Sequence, residues 1–470
     1  MDPKVKNAVL VSVQLPKVSQ QEFEGSLEEL GRLVKTLGYN VVGRVTQKRA
    51  SDRSAVLLGT GKLAELAAWT SGSGEVASLV DRKLTKAQVK WQEDASDAEE
   101  SADDAADEDL AGEIDDEIGD NESDLIASED RGSAQVVIVD TDLSPSQIRN
   151  LESATGTTVL DRTGVIIEIF SRHARTKAAR LQVEIARLIY VAPRLRETGG
   201  SEEQQGGGGK GAGESKLELD RRKVRDRIKE LRTELESIGN EHQTRRARRE
   251  QEITVALVGY TNAGKSSLMR AMTGSEVLIA DKLFATLDTT IRPMHPETKP
   301  KVLLSDTVGF IKKLPHDLVA SFKSTLDEAL SASLLLFVVD SADQAFRSQL
   351  EVTKKVLSEV GATDVPSLLV LNKRDRLNPA EVEALQTEYP DAVMLSTRDK
   401  DDVKKLRAKI MSYFESSMVD EDLFVPYQAK GLVGEIRSKM RVLGESYNEA
   451  GVTLRVRATP EVLAQLKKRM

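Results

Sequence analysis

Residues 253–268 read ITVALVGYTNAGKSSL. A short apolar run rich in β-branched residues leads into Gly259-x-x-x-x-Gly264-Lys265-Ser266, and a helical pattern follows. Strand, glycine loop and helix in that order are the setting a phosphate loop requires. The glycines allow a tight backbone nest whose N–H groups cradle α- and β-phosphates at a helix N-terminus. On this reading Gly259, Tyr260, Thr261, Asn262, Ala263 and Gly264 wrap the phosphates, Lys265 reaches the β- and γ-phosphates, and the Ser266 hydroxyl ligates Mg²⁺.

Working outward, KVLLSDTVG (301–309), LLLFVVD (334–340), SLLVLNK (367–373) and AVMLS (392–396) are short apolar strand candidates separated by helical stretches. That pattern predicts a parallel sheet covered on both faces. Asp306-Thr307-Val308-Gly309 closes one of these strands; an acid there binds magnesium through water, and the Gly309 N–H senses the γ-phosphate. Asn372-Lys373-Arg374-Asp375 closes another. A carboxylate at Asp375 accepts hydrogen bonds from guanine N1–H and the 2-amino group, which adenine does not offer, while the Lys373 stem lies on the base. The set therefore selects GTP and GDP. Ser396, Thr397 and Arg398 sit where a loop backing the base would lie, although three residues are a weak match.

Between the first two motifs lies Phe284-Ala285-Thr286-Leu287-Asp288-Thr289-Thr290. A mobile loop whose threonine closes on Mg²⁺ and the γ-phosphate is one reading, with Thr286 favoured; an ordinary hydroxyl-rich loop is the other. The expected catalytic group is Lys265, Thr286, Asp306 and Gly309, with Ser266 and Thr286 on the metal. Position 310 is Phe, not a Gln that could orient water, so slow intrinsic turnover is expected unless a partner completes the site. Asn262 either helps to hold a K⁺ ion or simply tolerates the loop conformation.

At 470 residues the chain is long enough for roughly three domains of about 150 residues each. The absence of Cys excludes disulfides, thiolate metal sites and a Cys nucleophile, and the four scattered histidines, His173, His242, His295 and His316, make a protein metal cage improbable. No apolar run reaches the roughly 18–20 residues that span a bilayer, which predicts a soluble, cytoplasmic chain, taken as a monomer. The net charge of −9 conceals an asymmetry: 19 of the 76 acidic residues lie in 92–130 with no Lys or Arg among them, leaving 57 acids against 67 bases elsewhere. The rest of the chain therefore suits a polyanionic partner.

Strand and helix patterns alternate over 8–91 and resume at AQVVIVD (134–140), so the acidic stretch, 92–133, is expected to be a disordered insertion within one α/β domain spanning 1–170. A sharper alternative is that it mimics nucleic acid and covers basic surface. The run Gly59-Thr60-Gly61-Lys62 lacks phosphate-loop spacing and reads as a turn. From 171 to 250 the spacing predicts a coiled-coil-like helical hairpin: Leu181, Ile185, Leu188 and Ile189 stripe the first helix, and apolar residues at 217, 224, 228, 231, 235 and 238 stripe the second. Its glycine-rich tip is 197–215. Arg172, Arg175, Lys177 and Arg180, then Arg221, Arg222, Lys223, Arg225 and Arg227, then Arg245, Arg246, Arg248 and Arg249 give the hairpin its charge. They read as RNA phosphate contacts, or more plainly as a solvated face with i,i+4 partners such as Asp226 and Glu230. The sheet domain occupies 251–418, and 419–470 forms a small α/β appendage expected to run βαβα.

With these stretches in view the chain resembles the HflX family of translational GTPases. The matching segments are LLGTGKLAEL, VVIVDTDLSPSQIRNLE, TVLDRTGVIIEIFSRHARTKAARLQVEIARLIYVAPRL, GAGESKLELDRR, GYTNAGKSSL, LFATLDTT, DTVGFI and NKRD. The resemblance implies a Mg²⁺-dependent GTPase that binds the large ribosomal subunit and its RNA and splits or rescues stalled ribosomes, with the hairpin tip directed at the peptidyl-transferase centre. It carries nucleotide contacts onto Gly259 to Ser266, Phe284 to Asp288, Asp306 to Gly309, Asn372 to Asp375 and Ser396 to Arg398. A nucleotide-gated RNA-binding protein or large-subunit assembly factor with little turnover is the alternative. Two departures stand out: GGSEEQQGGGGKGAGESKLE is longer than the family's usual tip, and FATLDTT replaces the more usual FATLDPT.

Overall fold

The computed structural model describes residues 5–76, 133–195, 216–247, 252–274, 283–284, 289–298, 301–313, 328–429 and 431–467. Contacts divide the chain into two compact units, Met1–Val34 with Gly38–Arg162 and Lys35–Leu37 with Thr163–Met470. The expected insertion, apart from Ser133, and the hairpin tip 197–215 lie outside the described residues.

In the first unit, β1 (Asn7–Gln14), α1 (Gln20–Thr36), β2 (Asn40–Lys48), α2 (Thr60–Thr70), β3 (Val136–Val139), α3 (Pro145–Thr155) and β4 (Thr158–Asp161) alternate. The four strands are parallel in the order β2-β1-β3-β4. Val9, Val11, Val137 and Val139 send buried side chains into a core completed by Leu63, Leu66, Trp69, Ile148 and Leu151. Gly59 caps the start of α2, and Lys62 pairs with Glu65 one turn on, so this lysine's charge is spent locally. Ser144 opens α3 with a capping box to Gln147, and Pro145 follows it.

The polar centre of this unit is Arg162. Its side chain is 1% exposed and is paired with Asp140 at 2.7 Å and with Glu29. Asp140 also accepts the Ser26 hydroxyl at 2.6 Å. A buried guanidinium with two carboxylate partners is tolerated only while both remain, because each lost partner leaves charge uncompensated.

In the second unit, α4 (Arg162–His173, all but its first residue) and α5 (Lys177–Val191) precede α6 (Lys216–Ala247). The expected hairpin boundary at 171 falls inside α4. The chain breaks only after it, where the Thr176 hydroxyl caps α5 by accepting the Ala179 N–H. The predicted seam closes α5 against α6: Leu231 is fully buried against Leu181 and Ile185, flanked by Ile228, Leu235 and Ile238. Part of the basic series is used inside the hairpin. Arg227 pairs with Glu184 of the facing helix at 3.1 Å, and Lys177 with Glu234 at 2.6 Å.

The sheet comprises β5 (Ile253–Val258), β6 (Thr290–Pro293), β7 (Val302–Asp306), β8 (Leu334–Asp340), β9 (Ser367–Asn372) and β10 (Val393–Met394), flanked by α7 (Lys265–Thr273), α8 (Phe346–Glu359), α9 (Pro379–Glu388) and α10 (Lys400–Glu415). Its order is β10-β9-β8-β5-β7-β6. Every pairing is parallel except β6 with β7, an antiparallel edge that the apolar-run reading passes over because TIRP is polar and ends in proline. The central strands β7 and β8 are buried on both faces, which is why they read as unbroken apolar runs. The candidates of 259–266, 306–309, 372–375 and 396–398 sit at or just beyond the carboxyl ends of β5, β7, β9 and β10.

The last segment differs from the expected βαβα order. It runs β11 (Val419–Pro426), α11 (Leu432–Lys439), β12 (Arg441–Tyr447), β13 (Gly451–Ala458) and α12 (Pro460–Lys467), with an antiparallel sheet in the order β11-β13-β12. The extra strand arises from a tight hairpin in which the Asn448 side chain accepts the N–H groups of Ala450 and Gly451.

Removing the buried guanidinium with Arg162→Ala is expected to lower the stability of the first unit by about 3–5 kcal/mol. Urea unfolding followed by tryptophan fluorescence checks this, since Trp69 lies in that core. A shift below 1 kcal/mol would show that the ion pairs contribute little.

Candidate nucleotide site

Beyond β5 the backbone turns sharply. Gly259 has φ +152°, and a Cβ there would stand 2.1 Å from the Val338 carbonyl oxygen; Gly264 has φ +95°, and a Cβ would stand 2.2 Å from Asn372 Nδ2. Both positions therefore demand glycine. Asn262 also adopts a left-handed φ of 62°, a conformation Asn tolerates well. The turn delivers the chain to the N-terminus of α7 at Lys265, where unpaired helix N–H groups and the dipole favour an anion.

Lys265 is buried, and its Nζ donates to the carbonyls of Gly259 at 2.9 Å and Tyr260 at 2.8 Å. Burial pushes this ammonium down to about 8, with the Asp306 carboxylate pulling the other way. Ser266 donates its hydroxyl to Asp306 Oδ2 at 2.7 Å, so a hydroxyl oxygen and a carboxylate converge from α7 and β7. These hard oxygen donors suit Mg²⁺, which commonly takes one or two protein oxygens and completes its shell with water and substrate phosphate. Among the described residues there is no group of three or more His, Cys, Asp or Glu that could hold a metal ion.

The segment after β7 lies directly on the phosphate loop. Thr307 anchors it by donating to the Leu257 carbonyl at 2.7 Å. A Cβ on Gly309 would meet Thr261 Cγ2 at 2.8 Å and Lys265 Nζ at 3.1 Å, so only glycine fits there. Phe310 is buried, and its backbone forms a parallel bridge with Tyr260: Thr261 N donates to the Phe310 carbonyl at 2.8 Å, and Phe310 N donates to the Gly259 carbonyl at 3.1 Å. The Tyr260 hydroxyl adds a third tie by accepting the Lys312 N–H at 2.6 Å. Tyr260, expected at the phosphates, thus directs its side chain to the neighbouring loop. Val308 is buried between these contacts.

At the other end of the site Asn372 is fully buried, and its Nδ2 donates to the Ala263 carbonyl at 2.9 Å, joining the base loop to the phosphate loop. Lys373, at φ 64°, donates to the Asn262 carbonyl at 2.8 Å and to Asp340 at 2.6 Å. Asp375 accepts the Ser396 hydroxyl at 2.7 Å and faces Arg398 at 3.5 Å. The Ser396 hydrogen bond holds this carboxyl below its ordinary value although partial burial works against it, so the carboxylate stays ionised. Arg374, Asp375, Ser396 and Arg398 line a cavity of about 430 Å³. Thr397 is half-buried between the two lining residues.

The switch candidates divide. Phe284 is described, buried and at φ 57°, but its ring stands edge-on to Phe170 of α4 at 4.6 Å and not toward the base loop. Ala285, Thr286, Leu287 and Asp288 lie outside the described residues. Sequence reasoning missed Asp340, which ends an apolar strand as Asp306 does and could have been found by that likeness. It also missed Asp402, whose only signal is an acid in the first turn of a helix.

Three family models cover most of the chain: GTP-binding GTPase N-terminal over 24–99 and 118–171, GTP-binding GTPase Middle Region over 173–249, and 50S ribosome-binding GTPase over 254–373. A GTPase HflX of Gluconacetobacter diazotrophicus is 56% identical over 467 residues, 99% of this chain and 98% of that one. The GTPase HflX of Escherichia coli is 41% identical over 331 residues, 69% of this chain and 78% of its own. A GTP-binding protein of Sulfolobus solfataricus, solved in complex with GDP, is 23% identical, with 86% of this chain and 100% of that chain covered at a TM-score of 0.41.

Phosphate binding favours the charged lysine, so bound nucleotide raises its affinity for the proton and free protein loses that proton as pH passes about 8. GDP affinity is therefore expected to fall roughly tenfold between pH 7 and pH 9. Lys265→Arg should flatten that slope, and Lys265→Ala should abolish binding. Isothermal titration across the range checks all three, and a flat wild-type profile would contradict the lowered value.

Proposed function

The chain belongs to the HflX family of GTPases and hydrolyses GTP; from that premise we propose that its GTP-bound form binds the large ribosomal subunit, splits or rescues stalled ribosomes, and is released by subunit-stimulated hydrolysis. The observation that supports this most is the union, in one compact unit, of the phosphate loop and a basic hairpin whose α6 spans 32 residues and keeps Arg222, Lys223 and Arg225 exposed. Such a helix offers phosphate contacts to RNA, while the seam of Leu181, Ile185 and Leu231 packs it against α5. Ribosomal RNA is thus the proposed docking partner and the cytoplasm the proposed compartment. Among the described residues no helix is long and apolar enough to cross a membrane.

In the site we assign, Ser266 and Asp306, with Thr286 of the switch loop, would hold Mg²⁺. The ion would neutralise charge on the transferring phosphoryl group. Lys265 and the first N–H groups of α7 orient the β- and γ-phosphates, Gly309 offers its amide to the γ-phosphate, and Asp375 fixes the base. Phe310, with its ring buried and both backbone groups bonded to the phosphate loop, offers no side-chain acceptor for the attacking water. Backbone groups or the ribosome therefore complete the site, and intrinsic hydrolysis is slow. That same feature favours the second reading, a nucleotide-gated RNA-binding or large-subunit assembly factor with little turnover.

GTP hydrolysis by the pure protein is expected to rise by at least tenfold with isolated large subunits, and 70S ribosomes should dissociate in its presence with GTP. Phosphate release and sucrose-gradient sedimentation measure the two. Binding to subunits without stimulation or dissociation would favour the second reading. Equal rates in potassium and sodium would leave Asn262 its conformational role alone.

A further inference from the structure

Asp402 is the third residue of α10 and lies outside every motif that touches nucleotide, yet its carboxylate is only 2% exposed. A buried charge is retained only with partners. Asp402 Oδ2 accepts the Ser396 backbone N–H at 3.0 Å and pairs with Arg374 Nη2 at 2.9 Å. Those two groups belong to different loops: Arg374 sits between Lys373 and Asp375, and Ser396 follows β10. Ser396, fixed by its backbone, in turn donates its hydroxyl to Asp375 Oδ1 at 2.7 Å. An unbroken relay of hydrogen bonds thus runs from the start of α10 through Ser396 to the carboxylate expected to read guanine.

We propose that Asp402 is a positioning residue for guanine selectivity: by binding the Arg374 guanidinium and the Ser396 amide together, it sets the spacing of the two base loops and hence the direction in which Asp375 presents its oxygens. Asp375 must meet N1–H and the 2-amino group at once, a paired contact that fails with small displacements. The Arg374 N–H also donates to the Leu395 carbonyl at 3.2 Å and ties the two backbones, but it leaves the Arg374 guanidinium and the Ser396 amide, next to Asp375, for Asp402 to hold. The Ser396–Asp375 bond only links the moving parts, and the Arg374–Asp399 pair, at 3.5 Å, is long and half exposed. The proposal rests on reading Asp375 as the guanine acceptor.

The test uses the full-length protein and compares GDP with inosine diphosphate, which lacks the 2-amino group. Asp375→Asn should flatten the GDP-to-IDP affinity ratio; if it does not, the assignment of the pocket itself fails, independently of Asp402. With that control in place, Asp402→Asn is expected to weaken GDP about tenfold and IDP much less, with kcat at saturating GTP within about twofold. Asp401→Asn, which removes the same charge from the same helix turn but faces solvent and pairs with Lys404, should leave the ratio at its wild-type value. Asp402→Glu keeps the charge one methylene away and serves if the Asn variant does not fold; it should lose part of the ratio at near-normal Tm. A wild-type ratio in a folded Asp402 variant, or an equal loss for both nucleotides, would overturn the proposal and leave Asp402 a structural anchor.

Discussion

The whole site depends on one close approach. Gly259 passes so near to the Val338 carbonyl that a methyl group would collide with it, and this lets the chain leave β5, loop back and enter α7 with Lys265 underneath. Because β5 lies between β7 and β8, the loop is flanked by the ends of both neighbours. From β7 come Asp306 and the 307–310 segment; from β8 comes Asp340, and from the next strand, β9, come Asn372 and Lys373. The parallel sheet thus gathers the phosphate and base contacts at one rim with little help from long-range loops.

Around that rim the recurrent device is a charge or polar side chain bonded to the backbone of a different loop. Asn372 reaches Ala263, Lys373 reaches Asn262, Tyr260 accepts from Lys312, and Asp402 accepts from Ser396. Loops on their own would sample many conformations, and each such bond removes freedom that nucleotide would otherwise have to remove on binding.

Much of this was legible in the residues. Fully buried parallel strands announce themselves as apolar runs, and glycine spacing announces the phosphate loop, because in both cases a local constraint forces a local composition. What escaped has no local composition to show. The β6 edge is polar and only four residues long, and the C-terminal hairpin depends on one asparagine. Phe284 reads as a switch residue from its neighbours, but its ring goes to Phe170, 114 positions earlier in the chain, a tertiary fact that periodicity does not carry. Asp402 is the same kind of case: an acid in a helix first turn is ordinary until its partners are known.

The edges of the six-stranded sheet bear on behaviour at high concentration. At one rim β6 runs only four residues and ends at Pro293, which has no N–H to offer; at the other, β10 contributes two residues. Among the described residues neither edge presents a long row of free donors and acceptors on which a second chain could extend the sheet. A sheet this apolar would otherwise be a template for cross-β growth, and its short margins, one of them ended by proline, oppose self-association while its interior stays as hydrophobic as packing requires.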